Sequence, residues 1–296
     1  MESLGGGCTR LAMARRVYIA RLFALLLAAW IIVATPGRAA TEIPFTFRSG
    51  MIWLKVEAGG SAGPLAFLLD SGAGKSVLDL GAARRLGVKL GARETVQGVD
   101  GRCAAYAVEG LGATVGSAAV PREMLALDLR GVSGGCGARV DGLLGADFFR
   151  EHIVQIDFAA QKIRLLSRDE MAASTGKVLA LGRRNDALCI RAGIDGGTPQ
   201  WMRVDTGCSG ALEWVVTGTP GHRLAETSVA TAGGSLKFIE TEVALGEEHV
   251  AAVKTGVHRQ PMFAGESGLI GNGLLSRFRV TVDAVGARLL LARVER

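Results

Sequence analysis

Short apolar runs separated by glycine-bearing turns recur along most of the 296-residue chain, a pattern typical of a protein built from short strands. The run Ile52–Val56 precedes a Gly-Gly turn at 59–60, and the run Leu188–Ile194 precedes another at 196–197. A second apolar stretch follows each turn and ends in an aspartate. Both segments therefore predict a β-hairpin whose second strand delivers an Asp into a tight loop.

The sequence repeats itself around these two aspartates. The segment PLAFLLDSGAG (Pro64–Gly74) aligns with PQWMRVDTGCS (Pro199–Ser209) at a separation of 135 residues. The alignment pairs Asp70 with Asp205, Ser71 with Thr206 and Gly72 with Gly207. A helix is predicted after the first aspartate, over Val77–Leu86.

A second match follows each aspartate, in the same order along the chain. Residues Gly142–Leu166 align without gaps on Gly268–Ala292 at a separation of 126 residues. Each segment opens with a Gly-apolar-apolar-Gly element and continues into alternating strands, which are Ile153–Phe158 with Ile163–Leu166 and Phe278–Val282 with Leu289–Leu291. The paired Asp157 and Asp283 fall between strands, where an Asp typically caps a turn.

Two matches in one order indicate an internal duplication into two homologous lobes. We expect an N-terminal lobe over residues 40–170 and a C-terminal lobe over residues 177–296. The polar stretch Ser167–Lys177 joins them. The predicted fold class is all-β, with the lobes related by a pseudo-twofold axis.

Residues 1–39 have the sequence pattern of an export segment. Arginines precede the continuous apolar run Leu22–Ala34, and small residues follow it before Ala40. This is the organisation of a secretory signal peptide, although the run could also stay uncleaved as a membrane anchor. We expect the protein in the periplasm or outside the cell, with the first strand too close to the cleavage point for a long pro-segment.

The composition argues against two classes of protein, disordered proteins and nucleic-acid-binding proteins. The chain is 49% hydrophobic, which excludes a disordered protein. Its net charge of +6 includes five arginines against one acid before Ala40, so the remainder carries only about +2. Since no basic stripe alternates with aromatic residues, we expect no nucleic-acid partner.

Cysteine and histidine patterns give no metal site. The chain has no Cys-x-x-Cys motif, and its four histidines lack ligand spacing. Cys103, Cys136, Cys189 and Cys208 follow the export segment. Disulfides among them and free thiols both remain open.

Paired aspartates have a specific chemistry when a pseudo-twofold axis brings them together. Two adjacent carboxylates cannot both ionise easily, so they share one proton. One carboxylate can then act as general base on a water while the other donates its proton to a substrate carbonyl. The sequence therefore predicts Asp70 and Asp205 as a catalytic dyad.

FLLDSGAGKSVLD and VDTGCSG, each followed by Gly-Leu-Leu/Ile-Gly, resemble the retropepsin and pepsin family of aspartic proteases. The resemblance implies a closed β fold with a cleft between lobes and a catalytic dyad of Asp70 and Asp205. Support of the catalytic loops is implied for Ser71, Gly72, Thr206 and Gly207. Flap hairpins are implied at Val96–Tyr106, with a tip at Asp100-Gly101, and at Val229–Phe238. Cys208 departs from the alanine usual in the family.

Two other motifs are weaker. Gly72–Ser76 matches the tail of a nucleotide-binding P-loop, but Leu69 stands where that motif needs a glycine. Gly131–Gly135 fits the serine-hydrolase elbow pattern, but a flexible loop is the simpler interpretation.

We therefore expect an aspartic endopeptidase without metal or cofactor, acting as a monomer on a peptide or protein substrate. Membrane attachment would come through the N-terminal segment. The alternative is a catalytically inactive peptide-binding protein with the same fold, and a membrane-anchored structural protein is a weaker third interpretation.

Overall fold

The computed structural model describes residues 41–60, 63–98, 101–216, 227–231 and 234–294. The predicted export segment, residues 1–39, lies outside these ranges. Within them the chain forms 24 strands and five short helices, and the strands are arranged in three sheets. The predicted all-β, two-lobed fold is confirmed.

A ten-stranded sheet forms the first lobe, in the order β6-β7-β10-β5-β11-β4-β3-β8-β9 with β2 paired to β3, counted over the described residues. Its strands are β2 (Thr46–Arg48), β3 (Met51–Glu57), β4 (Leu65–Leu69), β5 (Val77–Asp79), β6 (Arg93–Gly98), β7 (Gly101–Glu109), β8 (Thr114–Val115), β9 (Ala118–Ala119), β10 (Glu123–Leu127) and β11 (Gly142–Leu144).

An eight-stranded sheet forms the second lobe, in the order β15-β16-β17-β22-β18-β21-β20-β19 over the same described ranges. Its strands are β15 (Gly182–Arg184), β16 (Ala187–Ile194), β17 (Gln200–Val204), β18 (Leu212–Val215), β19 (Thr227–Thr231), β20 (Gly234–Leu245), β21 (Glu248–His258) and β22 (Gly268–Ile270). The order β18-β22-β17-β16 repeats the order β5-β11-β4-β3 of the first lobe, so the two lobes place their Asp loops at equivalent positions.

A six-stranded sheet joins the lobes, in the order β1-β13-β12-β23-β24-β14 within the part of the chain described. Its strands are β1 (Thr41–Pro44), β12 (Ile153–Asp157), β13 (Lys162–Leu166), β14 (Lys177–Ala180), β23 (Phe278–Asp283) and β24 (Arg288–Arg293). At its centre β12 pairs antiparallel with β23, with Gln155 opposite Thr281. Gln155 and Thr281 are also aligned by the repeat, so the pseudo-twofold axis lies between β12 and β23. One apolar core contains residues of both lobes.

The five described helices are short: α1 (Leu80–Arg85), α2 (Arg130–Cys136), α3 (Ala146–Glu151), α4 (Arg168–Ala172) and α5 (Asn272–Leu275). The helix predicted over Val77–Leu86 is wrong in its first residues, because Val77–Asp79 is strand β5. Val77 and Leu78 are buried between β10 and β11, and the Asp79 carboxylate accepts a hydrogen bond from the Ala82 N–H as the N-cap of α1. Burial in the sheet sets the start of the helix.

The segment Gly131–Gly135 is also different from expectation, since it lies in helix α2 and not in a flexible loop. Buried Leu129 and Val140 anchor the segment at its two ends. The Ser133 hydroxyl accepts a hydrogen bond from the Val140 N–H at 3.0 Å. These tertiary contacts outweigh the low helix propensity of the glycines.

The predicted joint Ser167–Lys177 contains helix α4. Ser167 and Glu170 form a capping box, in which each side chain accepts a hydrogen bond from the other residue's backbone N–H. Cys103, Cys136, Cys189 and Cys208 are all free thiols. Among the described residues no helix has the length and apolar character needed to cross a membrane.

Replacing Ile156 by alanine should lower the free energy of unfolding by about 2–4 kcal/mol, because its fully buried side chain lies in the central strand of the shared sheet. Val285→Ala is the control, since Val285 is 68% exposed and should change stability by less than about 0.5 kcal/mol. Urea denaturation of both variants measures the difference. Equal stabilities of the two variants would show that burial of Ile156 in this sheet does not stabilise the fold.

Candidate active site

The two predicted aspartates occupy equivalent loops at the ends of strands β4 and β17. The Asp70 N–H donates to the Leu144 carbonyl at 2.9 Å, and the Asp205 N–H donates to the Ile270 carbonyl at 2.9 Å. Those acceptors end strands β11 and β22, which run parallel to β4 and β17. The two Gly-apolar elements found in the sequence therefore lie directly beside the two loops and fix their direction.

The residues after the aspartates join the lobes by reciprocal hydrogen bonds. The Ser71 N–H donates to the Thr206 hydroxyl at 2.9 Å, and the Thr206 N–H donates to the Ser71 hydroxyl at 3.1 Å. Each hydroxyl also donates across the axis, Ser71 to the Val204 carbonyl at 2.7 Å and Thr206 to the Leu69 carbonyl at 2.9 Å. All four bonds are buried, so each lobe completes the backbone hydrogen bonding of the other.

Glycine is required after each hydroxyl residue because the opposite carboxyl group occupies the space of a side chain. A Cβ on Gly72 would lie 2.4 Å from Cγ of Asp205, and a Cβ on Gly207 would lie 2.5 Å from Cγ of Asp70. Any larger residue would push the two loops apart.

The Asp70 and Asp205 carboxyl groups lie together between the loops, each against the glycine of the opposite loop. Each also accepts a backbone N–H within its own loop, from Ala73 at 3.0 Å and from Gly207 at 2.8 Å. Burial raises the pKa of Asp70 above its ordinary value, despite these hydrogen bonds. Burial, followed by the adjacent Asp70, raises the pKa of Asp205 to about 8. The pair therefore holds one proton well above the range of an ordinary carboxyl group.

A hairpin tip from each lobe contacts the Asp loop of the other lobe. The β2–β3 turn has Ser49 and Gly50 at φ of 53° and 72°, and a Cβ on Gly50 would lie 2.7 Å from Cβ of Ser209. The β15–β16 turn has positive φ at residues 185 and 186, and Cβ of Asp186 lies 2.9 Å from the Cβ position of Gly74. Both are tight turns with left-handed central residues, which bring the two backbones close together.

The two predicted flap hairpins are present. Strands β6 and β7 pair up to Gly98 opposite Gly101, and strands β19 and β20 pair up to Thr231 opposite Gly234. Asp100 at the first tip and Gly233 at the second lie outside the described residues. Their position as covers of the site stays a prediction.

The other residues considered in the sequence analysis lie outside the dyad. Asp157 caps its turn by accepting the Ala160 N–H at 2.9 Å, and Asp283 accepts the Gly286 N–H at 2.8 Å. Cys208 follows the second loop, and burial raises the pKa of its thiol to about 12, so the thiol is neutral. Among the described residues no cluster of three His, Cys, Asp or Glu side chains could hold a metal ion.

One part of the site was missed by the sequence reasoning. The Arg203 guanidinium, which is buried, donates to the Gly72 carbonyl at 2.7 Å and forms an ion pair with buried Glu266. The repeat contained a signal for it, because the alignment places charged Arg203 opposite apolar Leu68.

Comparison with known proteins agrees with this geometry. The family described as "Aspartyl protease" matches residues 54–148, which run from strand β3 to helix α3. The chain resembles the retropepsin- and pepsin-like aspartic proteases. The aspartic proteinase from Irpex lacteus has a similar structure with a TM-score of 0.57 and 15% identity, covering 87% of this chain and 98% of that one. At that identity the structural match shows a shared aspartic-protease fold. No curated protein matches the sequence.

Replacing Thr206 by valine should lower the free energy of unfolding by about 2–4 kcal/mol, because it leaves the buried Ser71 N–H without an acceptor and the buried Leu69 carbonyl without this donor. Thr206→Ser keeps the hydroxyl and should retain most of the wild-type stability. Urea denaturation compares the three proteins. If the valine and serine variants lost the same amount, the hydroxyl bonds would not be the cause.

Replacing Asp205 by asparagine should remove much of the pH dependence of stability. The raised pKa means that the native wild type holds a proton the unfolded chain loses above about pH 4, so wild-type stability falls as the pH rises towards about 8. Each pKa unit of that shift corresponds to about 1.4 kcal/mol. Thermal unfolding at pH 5 and pH 9 should show a smaller decrease for the variant. Asp169→Asn, at an exposed position, should behave as wild type.

Proposed function

We propose that this protein is an aspartic endopeptidase that hydrolyses peptide bonds with a water molecule activated by Asp70 and Asp205. The observation that carries the proposal is the pair of carboxyl groups brought together by two matching loops, each lying against the glycine of the opposite loop and held by the reciprocal Ser71–Thr206 hydrogen bonds. Such a pair supplies a base and an acid within a few ångströms of each other. A protein that only bound peptides would gain nothing from two adjoining carboxyl groups that oppose their own burial.

The reaction follows from the single negative charge of the pair. The ionised carboxylate takes a proton from water as the water oxygen bonds to the substrate carbonyl carbon, and the protonated carboxyl donates its proton to the carbonyl oxygen. The resulting tetrahedral diol then breaks its C–N bond. The amine leaves with the proton taken from water, and a diol hydroxyl returns a proton to the other carboxylate. The shared-proton state is restored, and its proton belongs to the pair as a unit.

Other features of the proposal depend on the same resemblance. We propose that hairpins β6–β7 and β19–β20 close over an extended peptide, and that the lobes at 40–170 and 177–296 derive from one duplicated unit. The equivalent order of strands around the two Asp loops supports the duplication. The arginine-flanked apolar run within residues 1–39 supports export or membrane attachment. We expect the enzyme to act as a monomer, because one chain supplies both aspartates.

The test is proteolysis by the full chain, kept in a mild non-ionic detergent because of its apolar N-terminal run. An unfolded protein and a random peptide mixture are digested from pH 3 to 9, and the products are identified by mass spectrometry. Cleavage should fall by a factor on the order of 10³ in Asp70→Asn and in Asp205→Asn. Activity of the wild type should decline as the pH rises through about 8, where the shared proton is lost.

Asp157→Asn is the matched control, since Asp157 is also paired by the repeat but only caps a turn. It should cleave like the wild type. A folded wild type that cleaves nothing at any pH would contradict the proposal and favour a silent peptide-binding protein. Cleavage that survives both dyad substitutions would place the activity elsewhere or in a contaminant.

A further inference from the structure

The two lobes differ at one buried pair of positions beside the Asp loops. In the first lobe Leu68 lies beside Leu143 in the register of strands β4 and β11, and in the second lobe Arg203 lies beside Leu269 in the register of β17 and β22. Extending the second alignment, with its separation of 126 residues, by two residues towards the N-terminus places Val140 opposite Glu266. Leu68 and Val140 belong to one apolar cluster. The second lobe thus has a buried ion pair where the first has an apolar contact.

The ion pair is bidentate. Arg203 donates from Nε to Oε2 of Glu266 and from Nη2 to Oε1, both at 2.7 Å. Asn185 donates its side-chain amide to the same Oε1 at 2.8 Å. The guanidinium carbon lies 3.4 Å from the ring centroid of Phe263. The side chains of Arg203 and Glu266 are only 3% and 1% exposed, so this arrangement is fixed inside the protein.

Stability alone does not explain such a pair. Removing two charges from water costs free energy, and apolar residues of similar size are often as stable or more stable in their place. The first lobe shows that this fold can pack the same positions with leucine and valine. The third nitrogen of Arg203, Nη1, donates to the Gly72 carbonyl in the first Asp loop at 2.7 Å. The first lobe's Leu68 has no donor with which to do the same for Gly207.

We propose that Arg203, held by Glu266, is a positioning residue that fixes the first Asp loop at the Gly72 carbonyl and biases the charge of the dyad. This inference deepens the proposed function and rests on it. Arg203 does not touch the reacting atoms of the substrate in this proposal. It acts through the loop and through its positive charge.

The charge effect has a defined sign. A nearby cation favours ionised carboxylates, so Arg203 lowers the pKa of both Asp70 and Asp205 against the effect of burial. Glu266 lies behind the guanidinium and opposes it. The Cys208 thiol, also close to the dyad, is neutral because burial, followed by the nearby Asp205 and Glu213, raises its pKa to about 12. Arg203 therefore moves the singly protonated state of the dyad to lower pH.

The test compares two variants of the full chain. Arg203→Leu/Glu266→Val copies the first lobe and should fold, but its pH–rate profile should move to higher pH by about half a unit to one unit. Its kcat should fall on the order of tenfold while KM changes less than about threefold, because the Gly72 carbonyl is no longer held. Glu266→Gln leaves Arg203 uncompensated and should move the profile to lower pH.

The control is Asp141→Asn, which removes a buried carboxylate that pairs with the exposed side chains of Arg85 and Arg139 in the first lobe. It should lower the melting temperature without moving the pH profile. Carbon-13 NMR titration of labelled aspartate carboxyls gives the same shifts without relying on activity. If the wild type cleaves nothing, the endopeptidase proposal fails, and the titration still decides on Arg203. Unmoved profiles and titrations in both variants would overturn the positioning role.

Discussion

The reciprocal hydrogen bonds between Ser71 and Thr206 are the constraint on which the rest of the site depends. Two carboxyl groups oppose close burial, and only a rigid frame can keep them together. The frame is rigid because each hydroxyl donates to the backbone that enters the opposite loop. Gly72 and Gly207 then allow the carboxyls to meet, since each lacks the side chain that the opposite aspartate would displace.

The two Asp loops are nearly symmetric at the dyad, but the side chains that hold them in place differ between the lobes. The first loop is held by Asp147, whose carboxylate accepts from the Ser76 N–H and hydroxyl. The second loop is held by Asn272, whose amide donates to the Thr206 carbonyl at 2.7 Å and to Gly50. Arg203 adds a positive charge on one side only. The two Asp loops therefore have similar backbones but different surroundings. Such a difference suits a reaction in which one carboxyl group acts as acid and the other as base.

Much of this arrangement could be predicted from the sequence, because it is carried by local patterns. The Asp loops, the Gly-apolar elements and the paired strands β12–β13 and β23–β24 all follow from repeated motifs with regular alternation. Local pattern does not reveal strand β5 at Val77–Asp79, because its burial between strands β10 and β11 depends on distant residues. Nor does it reveal the helix at Gly131–Gly135, because the anchoring contacts of Leu129 and Val140 are tertiary. The Arg203–Glu266 pair was missed for the same reason, since its members are far apart in sequence.

The shared six-stranded sheet has a consequence for how the chain reaches its working form. Strands β12 and β13 belong to the N-terminal lobe, while β23 and β24 come after the second Asp loop, and the central pairing joins β12 to β23. Such long-range pairings form late in folding because they close large loops of chain. A chain emerging gradually from a ribosome can therefore complete neither this sheet nor the paired Asp loops. The timing of assembly, set by topology, would keep a partly emerged chain from carrying a finished dyad.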